Sequence, residues 1–413
     1  MRNKILSAAI GLGTALGLHA ADKVTFAYEG LNYNILSEAD KTCEVGRHDK
    51  NAQLSSVVIP ETVEYNGTAY TVTALGDSAF YGNGYLTALK IPETVTVIKS
   101  CAISQTLRLF ELRLPNSVTE VEPRGVYGNR SLYALWISTG MREINREAFN
   151  ANPALTAIVI PEGIEIIHDD AFNYCSRATT LIISSTVTTI SKMAFAGCSS
   201  LTNVKIPGNV QEIGNEAFSY CPKLATVTIE EASQPLKLGS DVFGHGIYTA
   251  NPNNDAWCRL KTLNLNRSWT CTATDVNGLP FSKRSTLQTI NIGEAVSSIP
   301  DNSFAGCDNV TAININRDTA PYANSSVFST QVFAGATLTV PESALEAYKA
   351  NSLWGRFAKI EGTAESGIAD IEADAAGITE YFDLCGRRVD GTPSAGIYIF
   401  RRADGSTGKV LIR

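Results

Sequence analysis

The chain has 413 residues, of which 44% are hydrophobic and 18% charged, and its formal net charge is −7. An acidic balance (sequence pI ≈ 5.3) argues against nucleic acid and anionic lipid as partners, because both attract basic surfaces. The cysteines number nine, an odd count, so at least one thiol stays unpaired within the chain.

The chain opens on a basic stretch, Met1 to Lys4, followed by an apolar run from Ile5 to Leu18 and a small-residue site around Leu18-His19-Ala20. Residues 1–21 therefore read as a secretory signal peptide rather than an anchor. The first cysteine is Cys43, too far from the apolar run for lipid attachment. No later stretch reaches the ~18 apolar residues that cross a bilayer, so the mature chain reads as exported and soluble. Residues 22–53 contain two strand-like runs, Val24 to Tyr28 and Tyr33 to Leu36, around Glu29-Gly30. This is the pattern of a β-hairpin cap, which would cover an exposed strand edge.

From residue 54 a repeat dominates. Phe80, Ile103, Val126, Phe149, Phe172, Phe195 and Phe218 follow one another at steps of 23, and the register returns at Phe281 and Phe304. A fixed period of this size marks stacked coils. In the coil ending at Phe218 the apolar positions are Leu201, Val204, Ile206, Val210, Ile213 and Ala217; the coils before it place similar residues in the same slots. One coil cannot cover its own apolar side chains, but a stack shares one core. Leu201 to Ile206 alternates apolar and polar residues, so it reads as a strand with Val204 and Ile206 inward. Pro207 lacks a donor and ends it, as do Pro60, Pro92 and Pro161 in their coils. Equivalent strands should pair in parallel, about 4.8 Å apart. The third residue after the spine position reads Asn83, Thr106, Asn129, Asn152, Cys175, Cys198, Cys221 and later Cys307. Asn satisfies main-chain groups in tight turns and Cys is a small buried donor, so the column reads as structural. A row of thiols does not supply the tetrahedral set that zinc requires.

The period breaks between residues 230 and 280, an irregular insertion that holds Trp257, Trp269, Cys258 and Cys271; the two cysteines either pair or are simply buried. Residues 54–360 form the solenoid, with a short closing helix expected between Pro341 and Phe357. Residues 361–377 are Ala-, Glu- and Gly-rich and read as a linker. Residues 378–413 carry four short β runs, the pattern of a small, separate, sandwich-like β tail.

The Leu-x-x-Val/Ile-x-Ile-Pro runs and the Ile-x-x-x-Ala-Phe-x-x-Cys runs, as in Ile190 to Cys198 and Ile213 to Cys221, resemble the BspA-like leucine-rich-repeat family of bacterial surface proteins over residues 24–345. The pattern is degenerate at Cys101-Ala102-Ile103 and Gly125-Val126-Tyr127. The resemblance implies a mainly β leucine-rich-repeat solenoid of 23-residue coils and a secreted or surface location with macromolecular partners. In the tail, Asp383-Leu384, Gly386 to Val389 and Gly396 to Ile399 resemble the C-terminal sorting domains of the type IX secretion pathway. That resemblance implies passage across the outer membrane of a Gram-negative bacterium.

The sequence holds four histidines, and His168 with Asp169 and Asp170 is the one suggestive cluster. Neighbours on one turn rarely converge on an ion, and no nucleophile elbow, zinc-protease signature, phosphate loop or calcium loop is present. The chain therefore reads as non-catalytic, without cofactor or metal. Binding is better marked. The outward strand position reads, coil by coil, Lys90, Arg113, Trp136, Val159, Ile182 and Lys205. Trp136, Val159 and Ile182 form an apolar stripe rimmed by cations, the composition of an interface centre. The expected partner is a host or microbial extracellular protein, with polysaccharide as the alternative through Trp136, Tyr133, Tyr127, Trp257 and Trp269. A covering loop or self-association would equally occupy the stripe.

Overall fold

A computed structural model describes residues 24–244, 258–273, 278–363, 378–382, 388–389, 396–402 and 407–412. The segment read as a signal peptide, His245, Trp257 and all but three residues of the stretch read as a linker lie outside them. The chain divides into two compact units, Met1–Ser176 and Arg177–Arg413.

The first unit contains β1 (Thr25–Tyr28), β2 (Leu31–Ser37), β3 (Thr42–Val45), β4 (Ser56–Val58), β5 (Thr62–Tyr65), β6 (Thr68–Leu75), β7 (Ala88–Lys90), β8 (Val97–Ile98), β9 (Glu111–Arg113), β10 (Glu120–Val121), β11 (Ala134–Trp136), β12 (Glu143–Ile144), β13 (Ala157–Val159) and β14 (Ile166–Ile167). The cap is more than a hairpin. β1 and β2 turn at Glu29-Gly30, both at positive φ, the conformation a two-residue hairpin turn requires. β3 then pairs antiparallel with β2 and parallel with β6. The cap thus hands its edge to the first coil, and one sheet runs β1-β2-β3-β6-β8-β10. The Asn-Gly signal at residues 66 and 67 is the turn between β5 and β6. On the other side of the coils β4 pairs with β7 and β9 with β11, both parallel and 3 residues long; β4, β7 and β9 are each followed within two residues by proline.

Phe80, Ile103, Val126, Phe149 and Phe172 are all buried, and the rings of Phe149 and Phe172 stack at 5.3 Å. The file is closed at the cap by His48, whose ring lies 5.4 Å from Phe80 and 3° from parallel. His48 Nε2 accepts the Asn32 amide at 2.8 Å and Nδ1 faces the Ala79 carbonyl at 3.2 Å. That pattern fits the neutral ring with its proton on Nδ1. Burial lowers the His48 pKa, opposed by the Ala79 and Gly46 carbonyls. The unfolded chain takes up this proton as pH falls through about 6.5 while the folded chain resists it. The contribution is therefore complete above that pH and declines below it, by at most about 1.4 kcal/mol per pH unit. Urea midpoints at neutral pH and at pH near 5 check this: the wild type should lose more stability on acidification than His48→Phe, and an equal loss would refute the assignment.

The second unit contains β15 (Thr180–Ile182), β16 (Thr189–Ile190), β17 (Asn203–Ile206), β18 (Glu212–Ile213), β19 (Thr226–Ile229), β20 (Leu236–Leu238), β21 (Thr262–Leu265), β22 (Trp269–Cys271), β23 (Thr289–Ile292), β24 (Ala312–Ile315), α1 (Thr330–Gly335), β25 (Thr337–Pro341), α2 (Leu345–Ala350), β26 (Lys359–Thr363), β27 (Ile378–Phe382), β28 (Arg388–Val389), β29 (Gly396–Arg402) and β30 (Thr407–Ile412). β17-β19-β21-β23-β24-β25-β26 form one parallel sheet, and β16, β18, β20 and β22 pair in sequence along a second side.

The break in the 23-residue period is not a break in the stack. Phe195, Phe218, Phe243, Phe281, Phe304 and Phe328 form one file at 5.4, 5.6, 5.7, 6.2 and 5.4 Å. The steps into and out of Phe243 are 25 and 38 residues, so the added length leaves the spacing of the rings unchanged. Trp269 is buried edge-on against Phe281 and Phe304. Arg267 is buried too and donates to the carbonyls of Gly208 and Val210 at 2.8 and 2.6 Å, which ties the long coil to the one two before it, past the coil of β19 and β20. Cys258 and Cys271 are both free thiols, donating to Leu224 O and Gly239 O, so the pairing is not formed.

The closing helix is shorter than the sequence pattern indicates. Pro341 belongs to β25, and α2 spans only Leu345–Ala350. The Asn351 side chain ends it by accepting the amides of Leu353 and Trp354. An unanticipated helix, α1, is N-capped by Ser329. Phe333, Trp354 and Phe357 pack around Phe328 and close the file. β26 pairs with β25 and so carries the parallel sheet three residues into the stretch read as linker. The tail strands make a single antiparallel sheet among the described residues, in the order β28-β27-β29-β30, rather than a sandwich.

Five members of the Asn/Cys column share one task, donating to the carbonyl of the preceding spine residue, while Asn83 at the cap donates to Ala52 O. Asn129 Nδ2 donates to Ile103 O at 2.9 Å and Asn152 Nδ2 to Val126 O at 2.8 Å. Cys175, Cys221 and Cys307 donate in the same way to Phe149, Phe195 and Phe281. After the spine residues from Phe80 to Phe218, and after Phe281 and Phe304, the position two residues on is left-handed. Glycine fills it at Gly82, Gly128, Gly197 and Gly306, while Gln105, Ala151, Tyr174, Tyr220 and Lys283 hold the same positive φ, a cost of about 1–2 kcal/mol each.

Candidate functional site

In the first unit the outward column follows the short strands β4, β7, β9, β11 and β13. Val58 is in register with Lys90, and Arg113 with Trp136. Trp136 is 39% exposed and Val159 47%. The Arg113 guanidinium lies 3.6 Å from the Trp136 ring centroid, a cation–π contact that holds both side chains in place. Ile182 and Lys205 belong to the second unit. Ile182 is exposed there, and Lys205 is an exposed cation ion-paired with Glu230. The pairing arises because Glu230 follows β19, the parallel neighbour of Lys205's strand.

A feature that the sequence does not announce lies beside this column. An open groove of about 850 Å³ runs over β4, β7 and β9, lined by Val58, Lys90, Phe110, Glu111, Arg113 and Tyr133 among others. Phe110 and Tyr133 occupy the same slot in consecutive coils and both are exposed. Tyr133 donates its hydroxyl to Glu111, and this bond raises the tyrosine pKa.

The groove sits at β7/β9, a junction without a strand ladder among the described residues; β11 and β13 likewise share no ladder, though Thr156 N donates to Tyr133 O. At β9/β11 the amides of Tyr133 and Ala134 donate to Phe110 O, and Leu114 N donates to Trp136 O. At β4/β7 the amides of Thr87 and Ala88 donate to Ser55 O, and Ile59 N to Lys90 O. Among the described residues no corresponding bond joins β7 to β9: Phe110 N and Glu111 N do not reach Thr87 O, nor Ile91 N the carbonyl of Arg113. The coil between them carries Cys101-Ala102-Ile103 in place of the usual Ser/Glu-Ala-Phe turn. That irregularity is the sequence signal that accompanies the opening.

The remaining reactive groups have structural partners. His168 Nε2 meets Glu143 Oε2 at 2.7 Å. Burial raises the thiols of Cys175 and Cys307 to about 12 and about 11, so they stay protonated and are poor nucleophiles. Among the described residues no three His, Cys, Asp or Glu side chains converge as a metal site, and no helix is long and apolar enough to cross a membrane. Of the aromatic residues marked for sugar stacking, Trp269 is core, Tyr127 lies partly under Arg124, and Tyr133 and Trp136 remain exposed.

Parallel coils, short edge strands and a shared apolar file define a leucine-rich-repeat solenoid with an open face. The family model for the BspA type leucine-rich repeat region matches residues 49–179, 165–247 and 256–349 in 6 copies, and the chain belongs to that family. Similar solved structures include a leucine-rich repeat protein from Bacteroides ovatus (18% identity, TM-score 0.42, covering 82% of this chain and 100% of that one). Others are a leucine-rich cell surface protein from Faecalibacterium prausnitzii (20%, 0.39, 83% and 96%) and the pneumococcal vaccine antigen PcpA (14%, 0.40, 83% and 99%). No curated protein matches the chain.

Proposed function

We propose that this chain is an exported, non-catalytic surface protein that captures a host or microbial extracellular protein through the outward face of its short strands. The observation that carries the reading is the exposed Trp136 locked against Arg113. A rigid aromatic beside a cation costs little side-chain entropy to bury, and such pairs dominate interface energetics. Val159 and Lys90 extend the contact in the first unit, and Ile182 supplies a further apolar contact in the second. Lys205 is bonded to Glu230 and keeps further ammonium donors for a partner.

Trp136→Ala should weaken capture of an extracellular protein by tenfold or more, in line with the loss of about 2 kcal/mol typical of an interface anchor, with the circular dichroism spectrum unchanged. Parallel binding to an array of extracellular proteins and to a glycan array is the measurement. Undiminished capture by Trp136→Ala would refute the site, and retention on glycans alone would favour the polysaccharide reading. The tail is assigned by the same reading to type IX export. Asp383 to Arg387 lie outside the described residues, so the support is their resemblance together with the antiparallel strands β27 to β30. Normal secretion of a chain truncated after Thr363 would refute that assignment.

A further inference from the structure

We infer that the groove between β7 and β9 takes an extended stretch of polypeptide that carries an acidic side chain next to a bulky apolar one. This rests on the surface-capture reading above and specifies the ligand's chemistry. The main chain comes first. In a parallel strand, alternate residues turn their N–H and C=O to opposite neighbours. Phe110 and Leu114 serve the β11 side, so Glu111 and Arg113 turn theirs toward β7. Leu89 turns its own toward β9, with the carbonyl of Thr87 and the amide of Ile91 completing the set. In the adjoining junctions the equivalent groups are bonded; here they are not. Main-chain groups left without a ladder need another partner. An extended polypeptide offers donors and acceptors in the alternation they require, the basis of strand-type peptide recognition.

Charge selects among polypeptides. Lys90 and Arg113 occupy the same slot on opposite sides of the failed junction. Among the described residues neither is in an ion pair, and Arg113 is held in position by Trp136. Like charges in neighbouring coils repel, and a carboxylate between them relieves that repulsion while gaining charge-assisted hydrogen bonds. The groove's own carboxylates do not fill this role. Glu111 is engaged by the Tyr133 hydroxyl, and Glu93 lies three residues beyond Lys90, past Pro92. Val58 and Phe110, 64% and 47% exposed, supply the wall against which an apolar side chain adjacent to the carboxylate is buried. A volume of about 850 Å³ is ample for a few residues of chain.

The test uses the full mature chain and a displayed library of short linear peptides. Wild type should enrich peptides with Asp or Glu beside an aromatic or large aliphatic residue, and their affinity should fall with added salt. The double variant Lys90→Glu/Arg113→Glu should bind those peptides at least about tenfold more weakly and should instead enrich peptides bearing Lys or Arg. Val58→Asp should weaken binding without changing the charge preference. Enrichment without an acidic preference, or equal binding by the charge-reversed variant, would overturn the inference. So would binding confined to acidic oligosaccharides and lost in the same variant, which would assign the groove to glycans. Capture of an extracellular protein that is lost in Trp136→Ala but unaffected by the groove substitutions would remove the groove and leave the broader reading standing.

Discussion

Phe218→Ala lowers the stability of the full chain by about 3–5 kcal/mol, the largest loss expected from a single spine position. Phe218 is fully buried, with Phe195 on one side at 5.4 Å and Phe243 on the other at 5.6 Å. Truncation removes two stacked contacts and leaves a ring-sized void whose walls belong to separate coils. Those walls are held by main-chain bonds such as Phe218 N to Val242 O and cannot close over it. In a solenoid stability is a sum of coils and their interfaces. The variant should therefore unfold in two resolved steps where the wild type shows fewer, as the two sides of the void lose their coupling. Phe218→Leu, which keeps most of the volume, should cost less than about 1.5 kcal/mol. The first unit already tolerates Ile103 and Val126 in this slot, both fully buried. Chemical denaturation of the three proteins measures the series, and a midpoint for Phe218→Ala equal to that of the wild type would rule out a shared spine.

The spine was legible because it needs only one large apolar residue per turn of chain, and that demand imposes a period. Phe243 and Phe328 escaped it for a physical reason. The stack constrains where a ring sits, not how many residues lie between rings, so steps of 38 and of 24 residues satisfy it equally. The strand stops at Pro60, Pro92, Pro161 and Pro207 were legible because a missing donor is a property of one residue. The helix end at Asn351 was not, because it depends on a side chain accepting two amides downstream. At the candidate site the exposed column from Lys90 to Val159 followed from strand alternation. The failed ladder between β7 and β9 did not, since backbone pairing is set by the path of the whole coil. Only the degenerate turn at Cys101 to Ile103 hinted at it. Lys205 shows the same limit: its exposure was readable, but its bond to Glu230 depends on which strands become neighbours.

Asn129→Ala should cost roughly 3–5 kcal/mol, far more than its loss of side-chain volume explains, because of what it leaves behind. The Asn129 amide donates to Ile103 O at 2.9 Å, and its oxygen accepts both the amide of Thr106 at 2.9 Å and the Thr106 hydroxyl at 2.7 Å. Asn129, Thr106 and Ile103 are all fully buried. Removing the hub orphans a carbonyl, an amide and a hydroxyl together, at about 1–3 kcal/mol for each group; a water entering the space recovers part of that. Asn129→Cys separates the donor role from the acceptor role. Sulfur donates to a spine carbonyl in this column at Cys175, and at Cys307 it also accepts an amide, that of Arg284, at 3.4 Å. The cysteine variant should therefore lie between wild type and alanine, losing about 1–2 kcal/mol for the weaker acceptor. This ordering also accounts for the column changing from Asn to Cys along the chain: either side chain serves wherever the spine carbonyl needs a donor. Asn is favoured where the preceding column residue, as at Thr106, turns its own polar groups inward. Denaturation midpoints that place Asn129→Ala level with or above Asn129→Cys would show that packing, not hydrogen-bond supply, governs the column.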